Sequence, residues 1–130
     1  MKFDVVPMES VNEVRFGMKR KDVRDLLGNA REFIKFEGNT TTTDDFGFCH
    51  VFYDREDKCE AIEIFEESEV FINGNLVFPT DFATAKSIVK SLDEDDEGLI
   101  SFEDSIGIYA PDGKMESILI GKKGYYDEEE

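Results

Sequence analysis

The sequence predicts a single α+β domain, residues 1–130, in which an antiparallel sheet carries two main helices on one face. Three observations carry that expectation. Two segments space their apolar residues by three and four, an Asn-Gly pair joins two short apolar stretches, and a strand-turn-strand pattern occurs twice. A chain of 130 residues with 40% apolar content is long enough to bury a continuous core. Its twelve Phe, and the Ile and Val kept inside acidic stretches such as Glu60-Ala-Ile-Glu-Ile-Phe65, separate it from disordered acidic segments, which are poor in such residues.

The first helix is expected over Lys19 to Leu27, where Val23, Leu26 and Leu27 form the apolar stripe and Gly28 is placed to end it as the C′ residue. Arg31 to Phe36 reads as a strand and Thr40 to Asp45 as a polar loop. Cys49 and Cys59 lie on the two strands of a hairpin. With its turn at Asp54-Arg-Glu-Asp57, Tyr53 faces Lys58, Cys49 falls opposite Ile62, and Cys59 lies on the other face. That register leaves two reduced, half-buried thiols, and two cysteines with one histidine fall short of the ligands a zinc site needs. Glu69-Val-Phe-Ile72 and Asn75-Leu-Val-Phe78 form a second hairpin, because Asn73-Gly74 tolerates positive φ at both turn positions. The second helix runs from Thr80 to Leu92, with Thr80 as N-cap and Phe82, Ala85, Ile88, Val89 and Leu92 as its buried face. Leu99 to Phe102 is a further strand, and residues 127–130 read as a disordered acidic tail.

Tyr53 and the stretch Asp54 to Ile64 line up with Tyr109 and Ala110 to Ile120 at a constant offset of 56, with Tyr, Lys, Glu and two Ile coinciding. Each copy is a strand, a tight polar turn and a second strand, and each follows a helical segment. Two helix-plus-hairpin units are the simplest description; chance similarity of unrelated hairpins is the alternative, and it leaves the fold class unchanged.

The charge is lopsided. Residues 1–40 carry eight Lys or Arg against seven Asp or Glu, and residues 41–130 carry seven against twenty-four, so the net charge of −16 belongs to the later part. Such a surface attracts basic partners and repels nucleic acid. The one basic cluster, Lys19-Arg20-Lys21 with Arg24, sits at a helix N-terminus that prefers acid. It either pairs with the protein's own carboxylates or forms a contact patch. No apolar run approaches the ~18 residues a membrane-spanning helix needs, and Met1-Lys-Phe-Asp-Val-Val-Pro7 has no signal-peptide core, so a cytoplasmic protein without membrane contact is expected.

Three resemblances add to this reading. Gly17-Met18, followed by Val23, Leu26, Leu27 and Gly28, resembles the opening of small α+β domains typified by the β-lactamase inhibitor protein and BamE-like assembly lipoproteins, although Lys19 stands where those domains carry a Ser or Thr cap. Asp93-Glu-Asp-Asp-Glu-Gly98 and the residues to Asp104 resemble an EF-hand loop, with acids at positions 1, 3 and 5, Gly at 6 and a carboxylate at 12. That resemblance implies a Ca²⁺ site with side-chain oxygens from Asp93, Asp95, Glu97 and Asp104 and the carbonyl of Leu99, the basis of an alternative role as a calcium-responsive regulatory module. As a small acidic α+β chain, the whole is similar to bacterial immunity proteins of contact-dependent inhibition and polymorphic-toxin systems.

Catalysis finds no motif. His50 sits mid-strand with Phe48 and Phe52 on its face, adjacent Cys49 and His50 leave opposite faces, and Gly121-Lys-Lys-Gly124 lacks the spacing of a phosphate loop. The sequence therefore points to a non-enzymatic binding protein without a required cofactor. It is read as an immunity protein that blocks a basic toxin domain, a nuclease, with acidic side chains. The contact residues expected are Glu60, Glu63, Glu66, Glu67 and Glu69, the run Asp93, Glu94, Asp95, Asp96 and Glu97, and Phe65 and Phe71 as aromatic anchors.

Overall fold

The structure, a computed structural model, describes residues 1–35 and 41–127. In chain order its elements are β1 (Lys2–Val6), β2 (Ser10–Val11), β3 (Val14–Arg15), α1 (Arg20–Leu27), β4 (Arg31–Phe33), β5 (Thr43–Asp45), β6 (Cys49–Tyr53) and β7 (Cys59–Phe65). There follow β8 (Glu69–Ile72), β9 (Asn75–Phe78), α2 (Phe82–Ile88), β10 (Asp93–Asp95), β11 (Gly98–Ser101), β12 (Ile106–Tyr109) and β13 (Ser117–Gly121). The α+β class is as the sequence predicts. Eight strands form one sheet in the order β10-β11-β12-β13-β7-β6-β5-β4, with every pair antiparallel.

A second sheet, which the sequence did not announce, has the order β3-β2-β1-β8-β9. Its centre is a parallel pairing of β1 with β8 that runs from Lys2 opposite Glu69 to Val5 opposite Ile72. Phe3 and Val5 alternate inward along β1, and Val70 and Ile72 do so along β8. Buried side chains of both sheets, Val23 of α1 and Ala85 of α2 form one apolar cluster. The smaller sheet thus joins the helices in covering a single face of the larger one, and the domain closes around one core.

The repeat is built into the backbone. β7 and β13 lie side by side with Ile62 opposite Ile120, Glu63 opposite Leu119 and Ile64 opposite Ile118. Under the offset of 56, Ile62 pairs with the copy of Ile64 and Ile64 with the copy of Ile62, so a pseudo-twofold axis passes between Glu63 and its own copy Leu119. Each unit is larger than a helix and a hairpin: α1 with β4 to β7 corresponds to α2 with β10 to β13.

Several local expectations need correction. The β6–β7 register is Cys49 opposite Ile64 and Val51 opposite Ile62, and a bulge at Phe52 and Tyr53 then sets Tyr53 opposite Cys59. Its origin is a longer turn, with Asp57 at φ +65° and the Asp54 carboxylate accepting the Glu56 and Lys58 amides. Cys59 therefore shares the core with Cys49. Both thiols are free, and burial pushes each up to about 12.

The second helix starts at Phe82, capped by Asp81, whose carboxylate accepts the Thr84 amide at 2.6 Å, and it ends at Ile88, short of Leu92. Val89 and Leu92 are still buried. In α1 only Val23 is fully enclosed, a burial worth roughly 1.5–3 kcal/mol, while Leu26 is exposed. The hairpin at Asn73-Gly74 forms as expected, with φ of +53° and +78° at the two turn residues.

The segment expected to be a polar loop, Thr40 to Asp45, contains β5 and the most enclosed carboxylate of the fold. Asp44 receives Arg20 at 2.9 Å, Arg24 at 2.6 and 2.8 Å and the Tyr53 hydroxyl at 2.9 Å. The Arg20 guanidinium also lies 4.0 Å from the centre of the Tyr53 ring and pairs with Asp57. Of the basic cluster, Arg20 and Arg24 thus serve the protein's own carboxylates and bind α1 to the sheet.

Candidate functional site

Among the described residues, one face of the large sheet carries no helix. Because Ile62, Ile64, Ile118 and Ile120 enter the core, the alternating residues Glu63, Phe65 and Leu119 emerge on the opposite side of β7 and β13. β6 adds His50 between buried Cys49 and Val51, and β12 adds Gly107 and Tyr109 beside buried Ile106 and Ile108.

At the centre of this face, the His50 ring is met edge-on by Phe33 at 5.0 Å and by Phe65 at 4.8 Å. Its nitrogens lie 3.9 Å from Glu63 and 3.7 Å from Asp45, beyond hydrogen-bond reach, and Nδ1 is buried without a partner. Burial, aided by the charge of Lys35, pushes the imidazole below its ordinary value of 6.5, so it is neutral at pH 7. Glu63 accepts a hydrogen bond from the Lys35 ammonium at 3.1 Å, and that ammonium also stands 5.9 Å from the centre of the Phe52 ring.

The chain beyond β13 folds back over the other half of the face. The Tyr126 hydroxyl occupies the space a Cβ on Gly107 would need, and the Tyr125 ring does the same at Gly121. The two rings stand nearly perpendicular at 5.3 Å, and Tyr126 meets Phe102 at 6.3 Å. Burial pushes the Tyr125 hydroxyl up to about 12 and raises that of Tyr126 as well. Residues 128–130 of the expected tail lie outside the described residues. Between Tyr126 and the centre runs a groove of about 480 Å³ bordered by Lys35, Glu63, Leu119, Asp95 and Glu97. A shallower groove of about 310 Å³ has Phe65, Glu66, Glu67, Tyr109 and Glu116 along it.

The expected contact residues are therefore only partly brought together. Glu63, Phe65, Glu66, Glu67, Asp95 and Glu97 border the two grooves. Glu60 lies near Lys122 and Asp54, and its burial raises the carboxyl above its usual range. Asp93 and Asp96 are exposed on the β10–β11 hairpin, and Glu94 turns to Lys86 of α2 at 3.1 Å. Glu69 and Phe71 belong to β8 of the smaller sheet and point away from its buried residues Val70 and Ile72, so they do not share the face.

The EF-hand-like segment adopts a hairpin. Asp93 stands opposite Ile100, Asp95 opposite Gly98, Leu99 is buried, and Asp104 accepts a hydrogen bond from the Ser91 hydroxyl. Gly98 sits at φ +142° because a Cβ there would collide with the Ile108 carbonyl, and the Asp95 carboxylate accepts the Glu97 amide at 2.9 Å. Of the acids and the glycine in the calcium-like run, Asp95 and Gly98 thus have roles in the turn itself. Among the described residues, no three His, Cys, Asp or Glu side chains group as a metal site would need.

Phe33, Lys35, Leu119 and Tyr109 enter the face without having been singled out as contact residues. The signal for Leu119 and Tyr109 was in the sequence: once Ile118, Ile120 and Ile108 are assigned inward, strand alternation sends their neighbours outward. No described helix is long and apolar enough to cross a membrane. Compared with known proteins, the chain matches no family model, no curated protein and no solved structure.

Proposed function

We propose that this protein is a non-enzymatic binding protein and, within that class, an immunity protein that neutralises a basic toxin domain, a nuclease, in the cytoplasm. The observation that carries the reading is the helix-free sheet face, where half-buried Phe33, His50, Phe65 and Tyr126 are bordered by Glu63, Glu66, Glu67, Asp95 and Glu97. Packed aromatic side chains supply desolvated anchor area, and a chain of net charge −16 steers a cationic partner onto it. The acidic rim fits a groove built for phosphates and leaves that groove blocked once the two surfaces meet. His50, neutral and stacked, serves as an anchor rather than a base.

Co-expression with the product of the adjacent gene tests this. A 1:1 complex is expected, with an association rate that falls steeply as salt rises, and Phe65→Ala should weaken it by about 2 kcal/mol. A neighbour that does not bind, or an association rate indifferent to salt, removes the reading.

A further inference from the structure

We propose that the groove beside Glu63 is the receptacle for an arginine side chain of the partner, and that Lys35 is its resident stand-in, displaced when the partner docks. The proposal rests on reading this face as a surface for a basic protein and specifies where that protein's decisive cation enters. Glu63 stands beside the pseudo-twofold axis opposite Leu119, in mid-face, with 17% of its side chain exposed. A carboxylate so enclosed is costly without a counter-cation.

Lys35 supplies that cation at 3.1 Å, from the segment just beyond the short edge strand β4. Among the described residues its ammonium makes one hydrogen bond, to Glu63, and its other neighbour is the Phe52 ring. The adjoining groove of about 480 Å³ is walled by Leu119 and Tyr126 and has Asp95 and Glu97 on its border. An incoming guanidinium can take over Glu63, lay its stem on Leu119 and stack on Tyr126. Arginine suits this better than lysine, because its planar, weakly hydrated group pairs with carboxylates while stacking on an aromatic ring.

Calorimetric titration with an oligoarginine peptide at low salt tests the assignment on wild type, Lys35→Met, Glu63→Gln and Lys21→Met. The last removes the same charge from the exposed surface of α1 on the covered side of the sheet. Lys35→Met should bind about fivefold tighter than wild type, Glu63→Gln about fivefold weaker, and Lys21→Met within about twofold. In wild type, the Lys35 ε-methylene resonances should move toward those of free lysine as peptide is added. The receptacle is overturned, with the basic-partner reading intact, by any of three results: Lys21→Met tightens as much as Lys35→Met, Glu63→Gln binds as wild type, or the Lys35 resonances stay fixed while peptide binds. Failure of the peptide to bind wild type at all overturns both.

Discussion

The two halves of the large sheet share a topology and differ in how each is held. In the first, charge does the joining: Asp44 gathers Arg20, Arg24 and the Tyr53 hydroxyl, and the helix is bound to the sheet through them. In the second, the segment after α2 meets β11 through hydroxyls, with Ser91 bonded to Ser101 and to Asp104. The outer faces differ as well. Pairing along the sheet makes His50 the counterpart of Gly107, and the gap left by that glycine is filled by Tyr126. Tyr53 follows Cys49 and Val51 into the core by strand alternation, whereas Tyr109, its match in sequence, alternates outward beside Ile108 and is 45% exposed. The two units share a backbone plan, and a one-residue difference in strand register decides which aromatic ring is structural and which is presented.

The largest effect should come from the ionic join. Asp44→Ala leaves two arginines without their shared counter-charge and should cost about 3–5 kcal/mol in urea unfolding, whereas Asp104→Ala, which loses hydrogen bonds, should cost about 1 kcal/mol. Equal costs would break the contrast between halves.

Next comes the filled gap. Gly107→Val pushes the Tyr126 hydroxyl aside and should destabilise by about 1–3 kcal/mol, with the change visible in tyrosine fluorescence, which no tryptophan masks. Unchanged fluorescence would mean that Tyr126 does not lean on Gly107.

Acid sharpens the same comparison. Burial alone would raise the Asp44 carboxyl, but hydrogen bonds from Arg24 and Tyr53 and the charges of Arg20 and Arg24 outweigh it and hold the group below its ordinary 3.8. A carboxyl depressed by folding stabilises above its unfolded value and loses that contribution as pH falls through its folded value. The urea midpoint should therefore drop below about pH 4, and Asp44→Asn should flatten the drop.

The smallest effect belongs to His50. Its imidazole is depressed, so folding favours the neutral form, and stability should decline as pH falls through 6.5 and below. His50→Gln should remove that slope, and proton NMR of the sole histidine should give a midpoint under 6.5.

Local chemistry made the turn of the β8–β9 hairpin legible, because Asn73-Gly74 fixes the turn type and sets Ile72 opposite Asn75 and Phe71 opposite Leu76, before a bulge sets Val70 opposite Phe78. Gly28, at φ +102° with its amide on the Arg24 carbonyl, ends α1 where expected for the same kind of reason. The five-stranded sheet was not legible, since its defining pairing joins residues far apart in the chain and β2 and β3 contain two residues each. Asp44 was hidden because a carboxylate among threonines reads as a solvated loop unless its arginine partners are already known. The site was half legible. Acid density marked Glu63, Asp95 and Glu97, but only the alternation of β7 and β13 around a fixed register separates them from Glu69 and Phe71 on the other sheet.

The parallel β1–β8 pairing also sets a timetable for synthesis. β1 is an interior strand, flanked by β2 and by β8, and Lys2 pairs with Glu69. On the ribosome, β1 must wait, unpaired on one edge, until residues 69–72 have been translated. Until β8 emerges, Phe3 and Val5 have no lasting shelter, so the nascent chain passes through a sticky interval in which a holding chaperone has something to grip.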